Sequence, residues 1–229
     1  MWLFLLWLLL QGHTVRQLPF LLACLLLQAC TQTQKGLEQT VMMAVSGPDD
    51  VVKTDQQIAD LPYASLYARI NEGPQIFVVL GYNENGQQKW ITQDNAMLVT
   101  RHGRLVKTLG LPDNLQQVSN LPQDPLADAL HLRDGANWTR IVQWTENGKT
   151  RAATVRSRFA RGTDEVLTLA GRRVACRVWT EQARIAATGR AWENTFWIDN
   201  SSGEVVQARQ MLAADDFPVA TTLLKPAKS

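Results

Sequence analysis

The segments WTRIVQWT at 138–145, ENG at 146–148 and KTRAATVRSRF at 149–159 decide the fold. The two longer segments contain many of the β-branched and aromatic residues that favour strands. Asn147-Gly148 between them is typical of a tight hairpin turn, because both residues tolerate a left-handed backbone. The sequence therefore predicts an antiparallel hairpin over 138–159.

The same pattern extends from this hairpin in both directions along the chain. Further strands are predicted, in order, over Gln75–Tyr82, Gln87–Thr92, Ala96–His102, Arg104–Leu109, Glu165–Leu169, Arg172–Ile185, Arg190–Asp199 and Glu204–Leu212. Short turns join them, and antiparallel strands joined in this way usually bury one face. We predict a mainly β fold, an antiparallel meander forming a curled sheet, partial barrel or sandwich with a few short helices.

Three short helices are expected around the strands. Apolar residues at helical spacing predict one helix over 37–45, and Pro62 ends a second over Gln56–Leu61. Asp124 followed by Pro125 is typical of a helix start, so the third is predicted over Pro125–Leu132.

The segment before the strands has the layout of a bacterial lipoprotein signal. Leu27-Gln28-Ala29-Cys30 closes an apolar run and is followed by polar residues. Cleavage after Ala29 would leave Cys30 at the N-terminus, where its thiol can carry diacylglycerol and its amine a further acyl chain. We therefore expect a signal peptide over 1–29, an acylated tether over 30–36 and one β-rich periplasmic domain over 37–229. A secretory leader with an incidental cysteine is the alternative.

The first fourteen residues fit a leader poorly, because they contain no Lys or Arg and repeat an apolar run over Trp2–Leu10. Initiation at Val15 would instead place Arg16 in an ordinary cationic start. Of the three cysteines, Cys24 leaves with the leader and Cys30 is acylated. Cys176 therefore has no partner for an internal disulfide, and we interpret it as a small buried core residue rather than a catalytic thiol.

Positive charge is concentrated in the second half of the chain. Residues 139–190 hold eleven Lys or Arg against four Asp or Glu, which would attract anions. On the strand from Arg172, alternation puts Val174, Cys176 and Val178 on one side and Arg173, Arg177 and Trp179 on the other. Arg156 and Arg158 likewise share a side. These five polar-side residues are candidates for binding an acidic glycan or a partner. A solvated strand face that blocks edge pairing is the simpler alternative.

Six segments carry a further signal through their order and length: Leu61–Arg69, Phe77–Tyr82, Lys89–Ile91, Val99–Leu111, Asp124–Leu126 and Phe196–Val206. Together they resemble the YjbF/GfcB family of lipoproteins encoded with exopolysaccharide and group 4 capsule genes. The resemblance implies a mostly β periplasmic domain at the outer membrane. It also implies a companion periplasmic protein and an outer-membrane β-barrel from the same gene cluster as partners. Thr31 is not acidic, which is consistent with sorting to the periplasmic face of the outer membrane.

Some side chains in these family-like segments are further candidates for glycan or partner binding: Tyr63, Arg69, Trp90 and Arg104, with Arg101 beside them. They either shape a cleft or fix the packing of the sheet. His102 and His131 show no metal-ligand spacing, so no metal or other cofactor is predicted. Neither an activated nucleophile nor nucleic-acid binding is predicted.

Three functions stay open from the residues. The first is a non-enzymatic accessory lipoprotein of exopolysaccharide or group 4 capsule assembly or secretion. The second is a lipid or lipoprotein carrier, which a large apolar cavity would favour. The third is a weak polysaccharide hydrolase, which two carboxylates facing one groove would favour. The adjacent acids Asp49-Asp50 and Asp215-Asp216 are interpreted as solvated loop residues.

Overall fold

A computed structural model describes residues 49–212 and 217–227, in which Asp50 onward forms one compact unit. A single antiparallel sheet of thirteen strands contains more than half of these residues. The strands are β1 Ser65–Ile70, β2 Gln75–Glu84, β3 Gln87–Ile91, β4 Met97–Arg101, β5 Arg104–Leu109, β6 Leu115–Val118, β7 Asn137–Glu146, β8 Lys149–Arg161, β9 Glu165–Leu169, β10 Arg172–Ile185, β11 Ala191–Asp199, β12 Val205–Met211 and β13 Pro218–Lys225. The prediction of a mainly β fold is confirmed.

The sheet curls until its two edges almost meet. Its order is β5-β4-β3-β2-β1-β13-β12-β11-β10-β8-β7-β6, and β9 pairs with β10 outside this path. Between the edge strands β5 and β6, Thr108 Oγ1 donates to Asn114 Oδ1 at 3.2 Å and accepts from the Leu115 amide at 2.9 Å. The partial barrel is therefore the form that the predicted meander takes.

The central hairpin is formed by β7 and β8. Glu146 pairs with Lys149, and Asn147 and Gly148 between them have φ values of 50° and 72°. Both values lie in the left-handed region that this tight turn requires. The predicted hairpin over 138–159 is confirmed, and each of its strands extends slightly beyond the predicted limits.

Strand β10 changes the face that it buries halfway along its length. Its first part pairs with β9 and buries Val174, Cys176 and Val178. Its second part pairs with β8 and buries the opposite face, beginning at Trp179 and including Glu181. The predicted alternation is therefore correct, but the side that carries Trp179 turns towards the core.

Short helices accompany the sheet. Helix α1, Asp55–Ala59, begins at a capping box in which Thr54 accepts from the Gln57 amide, so the predicted helix starts one residue earlier and ends two earlier. A kinked 3₁₀ helix over Pro125–His131, here called the cap helix, stands where the third helix was predicted. Another 3₁₀ turn precedes it over Leu121–Gln123. The helix predicted over 37–45 lies outside the described residues.

The cap helix closes one end of the curled sheet over an aromatic cluster. Leu126 and Ala129 pack there with Phe159, Trp179 and Phe196. The rings of Phe159 and Phe196 lie 6.4 Å apart, centroid to centroid. A larger apolar core fills the rest of the sheet's interior. No helix within residues 49–212 and 217–227 is long and apolar enough to cross a membrane.

Candidate functional site

A cleft of about 480 Å³ opens beside the cap helix. Its walls come from three places, namely strand residues Leu66, Gln88, Trp90 and Thr100, cap-helix residues 126–130, and residues 202–206 around the β11–β12 turn. The β2–β3 and β4–β5 turns reach the rim with Gly86 and Gly103. We call this opening the mouth cleft.

Two glycines at the rim hold their turns close to neighbouring elements. A Cβ on Gly103 would lie 2.3 Å from the Cβ of Val205, and one on Gly203 would lie 2.8 Å from Leu130. Both glycines have φ of 75°, a backbone conformation that other residues rarely adopt. Gln210 Nε2 also donates to the Gly103 carbonyl at 3.0 Å. The rim is therefore fixed by contacts that only glycine permits.

Hydrogen bonds order the wall of the cleft. Trp90 is 1% exposed, and its Nε1 donates to Thr100 Oγ1 at 2.9 Å. Thr100 in turn donates to Gln88 Oε1 at 3.4 Å. Burial raises the pKa of the Glu204 carboxyl, and the negative charge of Asp199 raises it further. Glu204 is thus more readily protonated than an exposed glutamate.

Four charged side chains meet in the interior next to the aromatic cluster: Arg104 on β5, Asp124 before the cap helix, Arg140 on β7 and Glu181 on β10. We call them the buried quartet. Arg104 Nη1 donates to Glu181 Oε2 at 2.8 Å, and Arg140 Nη1 donates to Glu181 Oε1 at 2.9 Å. Arg104 also bonds both carboxylate oxygens of Asp124, through Nε and, at 3.1 Å, through Nη2. None is more than 5% exposed.

The quartet is neutral as a whole, because two guanidinium groups face two carboxylates. Burial by itself would raise the pKa of Glu181, but Arg104 and Arg140 outweigh it and hold this pKa well below the ordinary value. Asn194 Nδ2 donates to Glu181 Oε2 at 2.9 Å, so both oxygens are satisfied. The Arg104 guanidinium also lies 4.5 Å from the Trp138 ring centroid.

Asp124 connects the quartet to the cap helix. One of its carboxylate oxygens accepts from the Leu126 amide at 3.1 Å, at the start of that helix, and also from Arg104. The quartet therefore holds the cap helix, and with it one wall of the mouth cleft, against the barrel.

The outer side of β8 and β10 carries unpaired positive charge. Arg156 and Arg158 are exposed on β8, and Arg156 lies directly opposite the exposed Arg184 on β10. We call these three residues the outer arginine face. Among the described residues, none of them has a carboxylate within 4.0 Å. Like charges placed opposite each other oppose folding and favour an anionic ligand.

The predicted trio on β10 has three different environments. Arg173 is exposed, whereas Trp179 is 2% exposed within the aromatic cluster. Arg177 donates from Nε to Asn200 Oδ1 at 2.9 Å and from Nη1 to the Leu130 carbonyl at 3.0 Å. It therefore ties β10 to two elements that border the mouth cleft. The structure does not bring the three side chains to one open surface.

The other predicted site residues are also dispersed. Tyr63 is 43% exposed, and Arg69 pairs with Asp50 at 2.5 Å. Trp90 lines the mouth cleft, and Arg104 belongs to the buried quartet. The predicted lipidation site, Cys30, lies outside the described residues, as do Asp215 and Asp216. In residues 49–212 and 217–227, no group of three or more His, Cys, Asp or Glu forms a candidate metal site.

The quartet was not predicted from the sequence, although the position of Arg140 gave a signal. Arg140 alternates with Trp138, Val142 and Trp144, all of which are buried. A charged residue on the apolar side of a strand requires a buried partner of opposite charge. The partner itself, Glu181, is 41 residues away and could not be identified from spacing.

The fold and site define a mainly β domain, an almost closed antiparallel barrel with buried ion pairs and a cleft at one end. The chain belongs to the YjbF family, described as group 4 capsule polysaccharide lipoprotein, whose model matches residues 38–224. The resemblance expected from the sequence is thereby confirmed.

Two relatives from Escherichia coli strain K12 are similar over most of their length. The chain is 46% identical to the uncharacterized lipoprotein GfcB over 213 residues, 93% of this chain and all of that one. It is 47% identical to the uncharacterized lipoprotein YjbF over 208 residues, 91% of this chain and 97% of that one. The crystal structure of the hypothetical lipoprotein YmcC from the same strain matches with a TM-score of 0.74 at 51% identity. That match covers 77% of this chain and 90% of the solved one.

Proposed function

We propose that this chain is a periplasmic lipoprotein anchored in the outer membrane and a non-enzymatic accessory component of exopolysaccharide or group 4 capsule assembly or secretion. The observation that carries this proposal is the family match over residues 38–224, because the family description names both the polymer and the lipoprotein class. The two similar E. coli chains are also described as lipoproteins.

Acyl chains on Cys30 supply the anchor in this proposal. One myristoyl chain binds a bilayer only marginally, with a constant of about 10⁴ M⁻¹, and each further buried methylene adds roughly 0.8 kcal/mol. Two or three chains on one cysteine therefore hold a protein at a membrane permanently. Residues 1–29 act as the signal peptide, 30–36 as the tether, and 37–229 as the periplasmic domain.

The outer arginine face supports contact with an acidic polymer. Guanidinium groups bind carboxylates in a forked, two-bond geometry, and these arginines have no acidic partner in the described structure that would compete. Partners from the same gene cluster, an outer-membrane β-barrel and a periplasmic protein, complete the proposal.

A deletion in the host strain tests the proposal. We expect loss of the gene to lower the amount of polymer at the cell surface, and a wild-type copy to restore it. A Cys30→Ala copy should not restore export, and its product should leave the outer-membrane fraction. Unchanged surface polymer after deletion would contradict the accessory role, and normal outer-membrane recovery of Cys30→Ala would contradict the lipid anchor.

The outer arginine face has its own test. Arg156→Glu combined with Arg158→Glu should weaken retention of the purified chain on the acidic polymer of its host. Lys107→Glu combined with Arg209→Glu changes the net charge equally at two other exposed positions and serves as the control. Equal retention of both double variants would show that binding depends on net charge alone.

A polysaccharide hydrolase is the second candidate, and one observation favours it. Asp128 and Glu204 both line the mouth cleft, and burial raises the pKa of Glu204. A glycosidase requires two carboxyl groups, one of which stays protonated to act as the acid. Against this role, the Asp128 carboxylate lies 2.8 Å from His131 Nδ1 at an exposed position. Incubation of the polymer with wild type and with Glu204→Gln decides the matter, since shortening by wild type alone would establish hydrolysis.

A further inference from the structure

We propose that the mouth cleft binds an uncharged saccharide segment, and that it does so separately from any contact of the outer arginine face with acidic groups. This inference rests on the proposed function, because it names the ligand that the accessory lipoprotein holds. The polymer would thus be held at two places on the domain.

The size of the cleft suits a small ligand. Its volume of about 480 Å³ lies within the range of roughly 300–1,000 Å³ typical of small-molecule sites. The cap helix and the β11–β12 turn, which meet where Gly203 contacts Leu130, both line the cleft.

The wall chemistry favours a sugar. The amides of Asn83 and Gln88 can each donate and accept, and the hydroxyl of Ser202 can do both, as sugar hydroxyl groups require. Leu130 and Val205 supply apolar surface for the C–H groups of a sugar ring.

The same wall is unsuited to an acyl chain. A fatty acid would cover the amides of Asn83 and Gln88 and the carboxyl groups of Asp128 and Glu204 without offering them hydrogen bonds. Burying an amide or a hydroxyl unpaired costs about 1–3 kcal/mol for each group, and burying a charge costs more. A carrier of lipids would need a wall from which these groups are absent.

Charge distinguishes the ligand from the one expected at the outer arginine face. Among the described wall residues there is no Lys or Arg, whereas Asp128 and Glu204 are acids. His102 lines the cleft and the Arg101 guanidinium lies beside Gly86 at the rim, but Asp128 and Glu204 on the wall would repel a uronic acid. The segment bound here should be uncharged.

The cleft also has a fixed shape before any ligand binds. The contacts of Gly103 with Val205 and of Gly203 with Leu130 hold two rim turns, and the quartet holds the cap helix through Asp124. A preformed site binds with less loss of conformational freedom than a flexible one.

Equilibrium dialysis of the purified mature chain tests the inference. The probes are neutral oligosaccharides, fluorescently labelled at the reducing end and prepared by partial hydrolysis of the host's exported polymer. Acidic oligosaccharides from the same digest and labelled palmitate are run in parallel. We expect saturable binding of a neutral fraction and little binding of palmitate. Saturable binding of palmitate without any neutral oligosaccharide would overturn the inference.

Ala127→Trp is the blocking variant, because Ala127 lines the cleft from the exposed side of the cap helix. It should lower the affinity for the neutral fraction at least tenfold. Ala152→Trp adds the same bulk at an exposed position on β8 and is the matched control. Asn83→Ala with Gln88→Ala should lower the affinity roughly threefold to tenfold, the amount that about one net hydrogen bond contributes. Equal affinities for all these variants would overturn the inference.

The inference and the proposed function fail in different ways. If Ala127→Trp abolishes neutral binding yet restores surface polymer fully in the deletion strain, the cleft is not the site that serves export, although the accessory role stands. If deletion leaves surface polymer unchanged, the accessory role fails whether or not the cleft binds sugar. Shortening of the bound oligosaccharide would support the cleft as a sugar site and replace the non-enzymatic role with hydrolysis.

Discussion

Arg140 and Arg156 lie on the neighbouring strands β7 and β8, and their environments are opposite. Arg140 is 5% exposed and bonds Glu181 and Ser157 in the interior. Arg156 is exposed and faces Arg184 across the strand pair. The backbone partners differ by one position, since Arg140 pairs with Val155 and Arg156 with Thr139. A shift of one residue along a strand thus separates a buried ion pair from a surface charge.

The difference separates two kinds of arginine: those of the quartet are paired in the interior, and those of the outer arginine face are unpaired at the surface, where we propose that they bind an anionic ligand. Charges in the quartet cancel, and each group has a partner within hydrogen-bond distance, so the quartet fixes how β5, β7, β10 and the cap helix fit together. Charges on the outer arginine face do not cancel, which favours an anionic ligand but opposes folding. Two substitutions and a change of pH test this contrast, and Gly103→Ala tests the mouth rim beside the quartet.

Glu181→Gln should produce the largest effect. It leaves two buried guanidinium groups with one carboxylate, and removal of one partner from a buried ion pair costs about 3–5 kcal/mol. Urea unfolding followed by circular dichroism measures the free energy of unfolding. Glu146→Gln is the control, because Glu146 pairs with Arg151 at the surface, where such a pair contributes about 0–1 kcal/mol. Similar losses in the two variants would contradict the contrast.

Lowering the pH should destabilise the quartet, as Glu181→Gln does. The folded-state pKa of Glu181 lies below its ordinary value of 4.5, so its contribution is present above pH 4.5 and is lost as the pH falls towards the folded value. One such group changes the free energy of unfolding by about 1.4 kcal/mol per pH unit in this window. The difference between wild type and Glu181→Gln should therefore shrink from pH 6 to pH 3. A constant difference would show that folding does not lower the pKa of Glu181, and a difference that grows as the pH falls would show that Glu181 is protonated in the folded protein.

Gly103→Ala should lower the free energy of unfolding by less than Glu181→Gln does. It should lower it by more than the same change at Gly148, a turn glycine with open space around it. Both Gly103 and Gly148 adopt positive φ, which costs alanine roughly 1–2 kcal/mol. Only at Gly103 would the new Cβ also collide, with Val205, whereas nothing lies within 4 Å of one at Gly148. Overpacking adds about 1–3 kcal/mol, which thermal unfolding of the two variants should show as a difference. Equal melting temperatures would show that Val205 can move away from the new Cβ at no cost in stability, so that the mouth rim is not tightly packed.

Strands and turns could be predicted from the sequence because their signals are local. Asn147-Gly148 has the backbone preference of its turn, and Asp124-Pro125 marks the start of the cap helix. The quartet was not predictable in this way, since Arg104 and Glu181 are 77 residues apart and meet only when the sheet curls. Trp179 shows the same limit. Alternation along β10 predicts which face of the strand carries Trp179, but it does not predict that this face is buried there.

Arg156→Thr should have the smallest effect, and it should increase the free energy of unfolding. The change removes a like charge directly opposite Arg184 and introduces a β-branched residue, so folding should gain roughly 0.2–1 kcal/mol at low salt. Arg158→Thr is the matched control, because its partner on β10 is the uncharged Gln182. The difference between the two variants should vanish near 1 M salt, where charges are screened over about 3 Å. If Arg156→Thr instead destabilises the protein at low salt, then Arg156 has a stabilising partner and is not part of a surface free to bind an anionic ligand.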